Sequence, residues 1–136
     1  MQTTGQLAAL LERVVPRAGR RTHPATRVFQ ALRMAVNDEL GNLSKGLQVV
    51  WTLLRGGGRL VVITFHSLED RMVKEFGREK ARDYTVAGPV DVPELRQPAV
   101  AQGRWVSRKA IVPSAEELRE NPRSRSAQMR VIERIE

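Results

Sequence analysis

Three polar side chains sit where an apolar run stops. In the stretch Gly56-Gly57-Gly58-Arg59-Leu60-Val61-Val62-Ile63-Thr64-Phe65-His66-Ser67-Leu68-Glu69-Asp70-Arg71, an imidazole, a hydroxyl and a carboxylate (His66, Ser67 and Asp70) follow directly on residues 60–65. That run is short, continuous and rich in β-branched residues, the pattern of a strand buried on both faces, as in a parallel sheet. Ser67, with an acid three residues on, reads as a helix N-cap. Polar groups therefore gather where a buried strand ends and a helix starts, which is where open α/β sheets bind ligands. A structural reading stands beside this one: Ser67 and Asp70 as helix-capping groups, and His66 as a hydrogen bond at the strand end.

Arginine is the second residue type with a chemistry to offer. Arg13, Arg17, Arg20, Arg21, Arg27 and Arg33 succeed one another with no acid between them. The whole chain carries a net charge of +8 at pH 7 and an isoelectric point near 11.1. Such a balance favours a polyanionic partner, most often nucleic acid, and the arginine fork suits phosphate better than lysine does. A solvated basic surface without a ligand is the alternative.

Composition removes other classes. A length of 136 residues is that of one ordinary domain with enough apolar content for a core. There is no cysteine, which excludes disulfides and thiolate metal sites, and His23 and His66 are too far apart in the chain to suggest a histidine metal site. No metal is expected. No run has the length of a membrane span and no signal peptide is visible, so a cytoplasmic location with no membrane partner is the plain expectation.

The elements that would position these groups follow from periodicity. Residues 3–15 suit a short helix with a Thr3/Gln6 capping box, ended by Pro16, and residues 17–22 suit a basic loop. His23-Pro24 opens a second helix with Val28, Phe29, Leu32, Val36 and Leu40 as its apolar stripe. Glu39 falls among those apolar positions and needs a partner; a salt bridge to a nearby arginine and a role in a site both satisfy it. Gly41 marks a break or a bend. Residues 43–54 suit a third helix, 60–65 the strand, and 68–82 a further helix, giving a helix–strand–helix layer. Residues 83–103, with Pro89, Pro93 and Pro98, read as a long surface connection ordered only in part. Strands are expected over 104–112 and 128–135, pairing antiparallel, with a very short helix between them capped by Ser114 and Glu117.

Three motifs then go beyond what periodicity can name: HPATRVFQALRMAVNDEL over residues 23–40, GGRLVVITFHSLEDRMVKEF over 57–76, and SRKAIVPSAEELRENPRSRSAQMRVIER over 107–134. In this order they resemble the RsmH (MraW) family across nearly the whole chain except residues 84–104. The resemblance implies an α/β fold, the closing half of a Rossmann-like (class I) methyltransferase sheet, with residues 1–22 a remnant of the family's inserted helical RNA-recognition domain and 23–136 the C-terminal part of the methyltransferase domain. It implies S-adenosyl-L-methionine as methyl donor, the exocyclic N4 of a cytidine in 16S-type rRNA as acceptor, and small-subunit ribosomal RNA or the 30S subunit as partner.

One departure matters most. The family's glycine-rich loop after its first strand, which holds the cofactor, has no counterpart here. The triplet at Gly56 precedes a strand and is a turn, so no cofactor-binding residue is assigned. The cytosine amine is a poor nucleophile and needs acceptors or a base to hold its protons; His66 and Asp70, with Ser67 as helper, are the candidates. Arg17, Arg20, Arg21, Arg27 and Arg33 are the first choices for RNA phosphates, and Arg108, Arg123 and Arg125 the second. Trp105 and Tyr84 are the possible stacking residues, Trp105 being better explained as core. The isolated chain is expected to be inactive. A non-catalytic basic RNA-binding module and a truncated gene product are the rival expectations.

Overall fold

The computed structural model describes residues 1–15 and 23–135. Five helices and five strands follow in the order α1 (Thr4–Val14), α2 (Ala25–Asn37), α3 (Glu39–Leu53), β1 (Arg59–Thr64), α4 (Ser67–Lys80), β2 (Tyr84–Val86), β3 (Arg96–Pro98), β4 (Gly103–Trp105), α5 (Ala115–Glu120) and β5 (Gln128–Arg134). Short 3-10 turns cover Pro93–Leu95 and Pro122–Ser126. The chain divides into two compact units, Met1–Asn42 and Leu43–Glu136.

In the first unit, α1 starts on the expected capping box. The Gln6 amide donates to Thr3 Oγ1 at 3.3 Å, and the Thr3 amide donates back to Gln6 Oε1 at 3.4 Å. Ahead of α2, His23 Nδ1 accepts from the Ala25 amide at 3.2 Å. The helix ends at Asp38, whose φ of 48° is left-handed, a conformation Asp tolerates through local hydrogen bonding. The break therefore precedes Gly41, which lies inside α3. Gly41 has a different use: a Cβ there would collide with the Asp38 carboxylate. Glu39 finds the arginine partner that its position demands. Arg33 donates to it through Nε at 2.7 Å and Nη2 at 3.1 Å, and Asn37 Nδ2 donates at 3.4 Å.

The second unit is built on a three-stranded sheet in the order β1-β5-β4, with β5 antiparallel to both neighbours. Leu60 lies opposite Ile132 and Val62 opposite Arg130, while Trp105 meets Ile132 from the other side. These residues share one face. Against it pack Leu47 and Trp51 of α3 and Val73 and Phe76 of α4, which with Leu60 and Ile132 form the core. The rings of Trp51 and Phe76 meet edge to face, centroids 5.8 Å apart. Helix α4 comes so close to β4 that a Cβ on Gly77 would overlap the Trp105 indole, which accounts for a glycine inside a helix despite its cost there. Trp105 is thus a core residue.

Two expectations change here. The run at 60–65 was expected to be buried on both faces beside parallel neighbours. Among the described residues its neighbour is antiparallel, and its two faces are buried unequally: Leu60 and Thr64 are buried, whereas Val61 and Ile63 remain 53% and 55% exposed. The apolar composition is real, but α3 and α4 pack on the Leu60 side, while the segment around residues 111–117 lies near Ile63 on the other. Residues 83–103, expected to be a partly ordered connection, instead form an antiparallel hairpin of β2 and β3, pairing Tyr84 with Pro98 and Val86 with Arg96. The hairpin is tied to the end of α4 through the Gln102 amide, which donates to the Lys80 carbonyl at 2.9 Å. The expected strand over 104–112 ends at Trp105, and only Ile111 rejoins β5, in a bridge to Met129.

Candidate functional site

The polar junction after β1 is assembled by local rules. His66, not Ser67, is the N-cap of α4. Its Nδ1 accepts from the Glu69 amide at 3.3 Å, and Glu69 Oε2 accepts from the amides of Phe65 at 2.9 Å and His66 at 3.3 Å. The box is shifted one residue from the expected position because two acids, Glu69 and Asp70, each stand three residues after a possible cap. Ser67 becomes the first residue of the helix, with an exposed side chain.

This arrangement fixes the chemistry of the imidazole. With Nδ1 accepting, the neutral ring carries its proton on Nε2. That atom lies 3.2 Å from Glu69 Oε1 but is buried and without a hydrogen-bond partner among the described residues. The carboxylate stands near the ring without accepting a hydrogen bond from it, which leaves Nε2–H unpaired among the described residues. Buried polar groups are rarely left so, and exceptions cluster at sites of function.

Asp70 has another occupation. Arg130 of β5 donates to both of its oxygens, Nε to Oδ1 at 2.6 Å and Nη2 to Oδ2 at 3.0 Å, with both side chains about nine-tenths buried. Arg130's hydrogen bonds hold the Asp70 carboxyl below the usual carboxylate range, against the opposing push of burial, with the charges of Arg130 and Lys74 adding to the depression. Of the three candidates, the structure brings all to one junction, but Asp70 is committed to an ion pair. Sequence reading missed Glu69 and Arg130. Arg130 could have been found by the rule that found Glu39: a charge on the core-facing side of a strand must have a partner.

The basic candidates are placed unevenly. Arg17, Arg20 and Arg21 lie outside the described residues. Arg27 is exposed on α2, and Arg33 spends its guanidinium on Glu39. Arg108 is exposed beyond β4, and Arg123 and Arg125 are exposed on the 3-10 turn before β5.

The glycine triplet does not offer a cradle for S-adenosyl-L-methionine. No glycine-rich loop follows a strand among the described residues, and the glycine triplet has its backbone committed elsewhere. Gly57, with φ 76°, donates to the Arg134 carbonyl at 2.8 Å, Gly58 donates to the Arg55 carbonyl at 2.8 Å, and the Arg134 amide returns to the Gly58 carbonyl at 2.8 Å. Those amides close a turn and cannot cradle a ligand.

Comparison with known proteins gives these observations a context. The chain is 52% identical over 135 residues to a protein of Thermomicrobium roseum named ribosomal RNA small subunit methyltransferase H, covering 99% of this chain and 41% of that protein. It is 51% identical over 135 residues to the protein of the same name from Paramagnetospirillum magneticum, covering 98% and 42%, and 50% identical over 137 residues to that from Dehalococcoides mccartyi, covering 98% and 38%. The chain thus spans about two fifths of the length of the curated relatives it matches. The model of the MraW methylase family matches residues 1–135, and with relatives at this level of identity the chain belongs to the MraW methylase family.

Proposed function

We propose that this chain is the sheet-closing portion of a methyltransferase that moves a methyl group from S-adenosyl-L-methionine to N4 of a cytidine in small-subunit ribosomal RNA. The observation that carries the reading is the junction after β1. Among the described residues, a buried imidazole N–H without a hydrogen-bond partner and an exposed hydroxyl stand at the carboxyl end of a strand whose Val61 and Ile63 remain more than half exposed. The strand order β1-β5-β4, with β5 running against both neighbours, supports the same reading, because it is the order in which a Rossmann-like methyltransferase sheet ends.

In this reading His66 and Ser67 form one wall of the site. His66 Nε2–H donates to an acceptor on the cytosine, and Ser67 Oγ accepts from the attacking amine. Asp70 is a positioning residue, holding α4 against β5 through Arg130 so that the cap keeps its geometry. The donor-binding wall belongs to the part of a family-length protein that this chain does not match. Arg27, Arg108, Arg123 and Arg125 contribute to holding the RNA, together with Arg17, Arg20 and Arg21; Arg33 is largely neutralised by Glu39.

The isolated chain is expected to transfer no methyl group above background when incubated with labelled S-adenosyl-L-methionine and small ribosomal subunits. Turnover comparable with that of a full-length relative contradicts the assignment of the donor site to another portion of the protein. RNA binding with steep salt dependence and no methylation, even when the rest of a family enzyme is supplied, favours a non-catalytic RNA-binding module.

A further inference from the structure

The hairpin formed by residues 83–103 carries the chain's single tyrosine inside a cluster of charges. The guanidinium of Arg96 lies 4.4 Å from the centre of the Tyr84 ring and that of Arg82 5.1 Å. Asp91 ties the group together. It accepts from Arg96 Nε at 2.7 Å and from the Tyr84 hydroxyl at 2.9 Å, and Arg82 Nη2 stands 3.8 Å away. The Arg96 hydrogen bond, with the Tyr84 hydroxyl and both guanidinium charges, holds the Asp91 carboxyl below its ordinary range. Neutralisation is unequal: Arg96 is locked onto the acid, while Arg82 has only the longer ion pair.

Beside this cluster opens a cleft of about 410 Å³, lined among others by Lys80, Arg82, Tyr84, Val86, Val100 and Gln102. That volume is within the range of small-ligand sites. Glu79 also lines it and pairs with Lys80 Nζ at 3.3 Å, while the same ammonium lies 5.4 Å from the Phe76 ring. A flat aromatic and guanidinium surface, cations, an apolar rim and a carboxamide are what a nucleotide requires: a face for the base, a charge for the phosphate, and groups for the base edge. Because its hydrogen bond to Asp91 already fixes Tyr84, less side-chain freedom is lost on binding.

We propose that this cleft holds one unpaired nucleotide of a single-stranded RNA segment, away from the reacting base. The proposal rests on the RNA-substrate reading above for the identity of the polymer. It assigns a role to a region that lies outside the three motifs quoted above.

Binding of a fluorescent single-stranded oligoribonucleotide of about ten nucleotides, within the size range of such sites, tests it on the whole chain, with the Tyr84 ring resonances as an unambiguous local reporter. Arg82→Ala is expected to weaken binding about tenfold and to flatten the salt dependence by about 0.7 in slope. Val100→Asp, at a position 84% exposed, introduces a repelling charge at the rim without disturbing packing and weakens binding comparably. Arg55→Ala, which removes the same charge elsewhere, changes affinity less than about twofold. The Tyr84 resonances shift as RNA is added. Equal affinity in all variants with unmoved Tyr84 signals overturns the cleft assignment and leaves the RNA reading standing. Absence of any RNA binding overturns both. Saturation of the same Tyr84 shifts by cytidine monophosphate at equal or lower concentration reassigns the cleft to a free nucleotide and overturns the RNA assignment.

Discussion

Arg130 grips Asp70 with two parallel hydrogen bonds, 2.6 and 3.0 Å long, across sixty positions of sequence. The pair fastens the first turn of α4 to the middle strand of the sheet. It lies among apolar side chains, with the Arg130 guanidinium 6.0 Å from the Trp105 ring. Removing one partner of such a pair strands the other in a poorly solvated place. Asp70→Ala and Arg130→Ala are each expected to destabilise the chain by about 3 kcal/mol, measured by urea unfolding. A double replacement by apolar residues of similar volume should recover much of that loss.

The same pair sets an acid limit. The folded carboxyl of Asp70 titrates below its unfolded value, so its contribution is fully present above the ordinary carboxylate range and is lost as pH falls through the depressed folded value. Unfolding followed from about pH 5 down to pH 2 should show a steeper loss of stability in the wild-type chain than in Asp70→Asn, whose starting stability is lower but whose dependence on pH is weaker.

The junction separates capping from chemistry. His66→Ala removes the side-chain cap of α4 and should cost about 1 kcal/mol of stability. His66→Asn keeps an acceptor for the Glu69 amide and should restore most of that stability. If Nε2–H also serves the substrate, an enzyme carrying His66→Asn is stable and slow, with kcat reduced more than KM is raised. Full activity in a stable His66→Asn enzyme leaves the histidine with capping alone.

Strand β1 makes a contrast between its two faces. Leu60 packs in the core, and Leu60→Ala should cost about 2–5 kcal/mol. Ile63 is 55% exposed, and Ile63→Lys should change the stability of the isolated chain, measured by urea unfolding, by less than about 0.5 kcal/mol. A loss from Ile63→Lys as large as that from Leu60→Ala contradicts the unequal burial of the two faces.

Much of this fold was legible in sequence because the signals are local. The Thr3/Gln6 box, the Leu47 and Trp51 face of α3, and the alternation in β5 all depend on neighbours a few residues apart. So did the need of Glu39 for a partner. The α2 stripe, by contrast, leaves Leu32 and Val36 exposed. What was missed depends on distant residues. Whether β1 is covered on one face or two is decided by elements far along the chain, and composition alone reports only that both faces are apolar. The hairpin over 83–103 was hidden because its prolines stand in the connection (Pro89), at the opening of a 3-10 turn (Pro93) and at a strand end (Pro98), where they interrupt no pairing. At the site, His66, Ser67 and Asp70 were read as one group. The sequence could not separate them, because the partner that removes Asp70 from that group lies sixty positions later.

The central claim is that these residues supply one functional wall of a ribosomal RNA methyltransferase. It is tested most directly by a chimera in which this chain replaces the matching segment of the Thermomicrobium roseum relative. The chimera is assayed on small ribosomal subunits with labelled S-adenosyl-L-methionine, and the methylated nucleoside is identified by mass spectrometry. The expected product is N4-methylcytidine, formed at a rate within about tenfold of the parent and lost on combined replacement of His66 and Ser67 by alanine. A folded chimera that binds the methyl donor yet transfers nothing, or one indifferent to those two replacements, contradicts it.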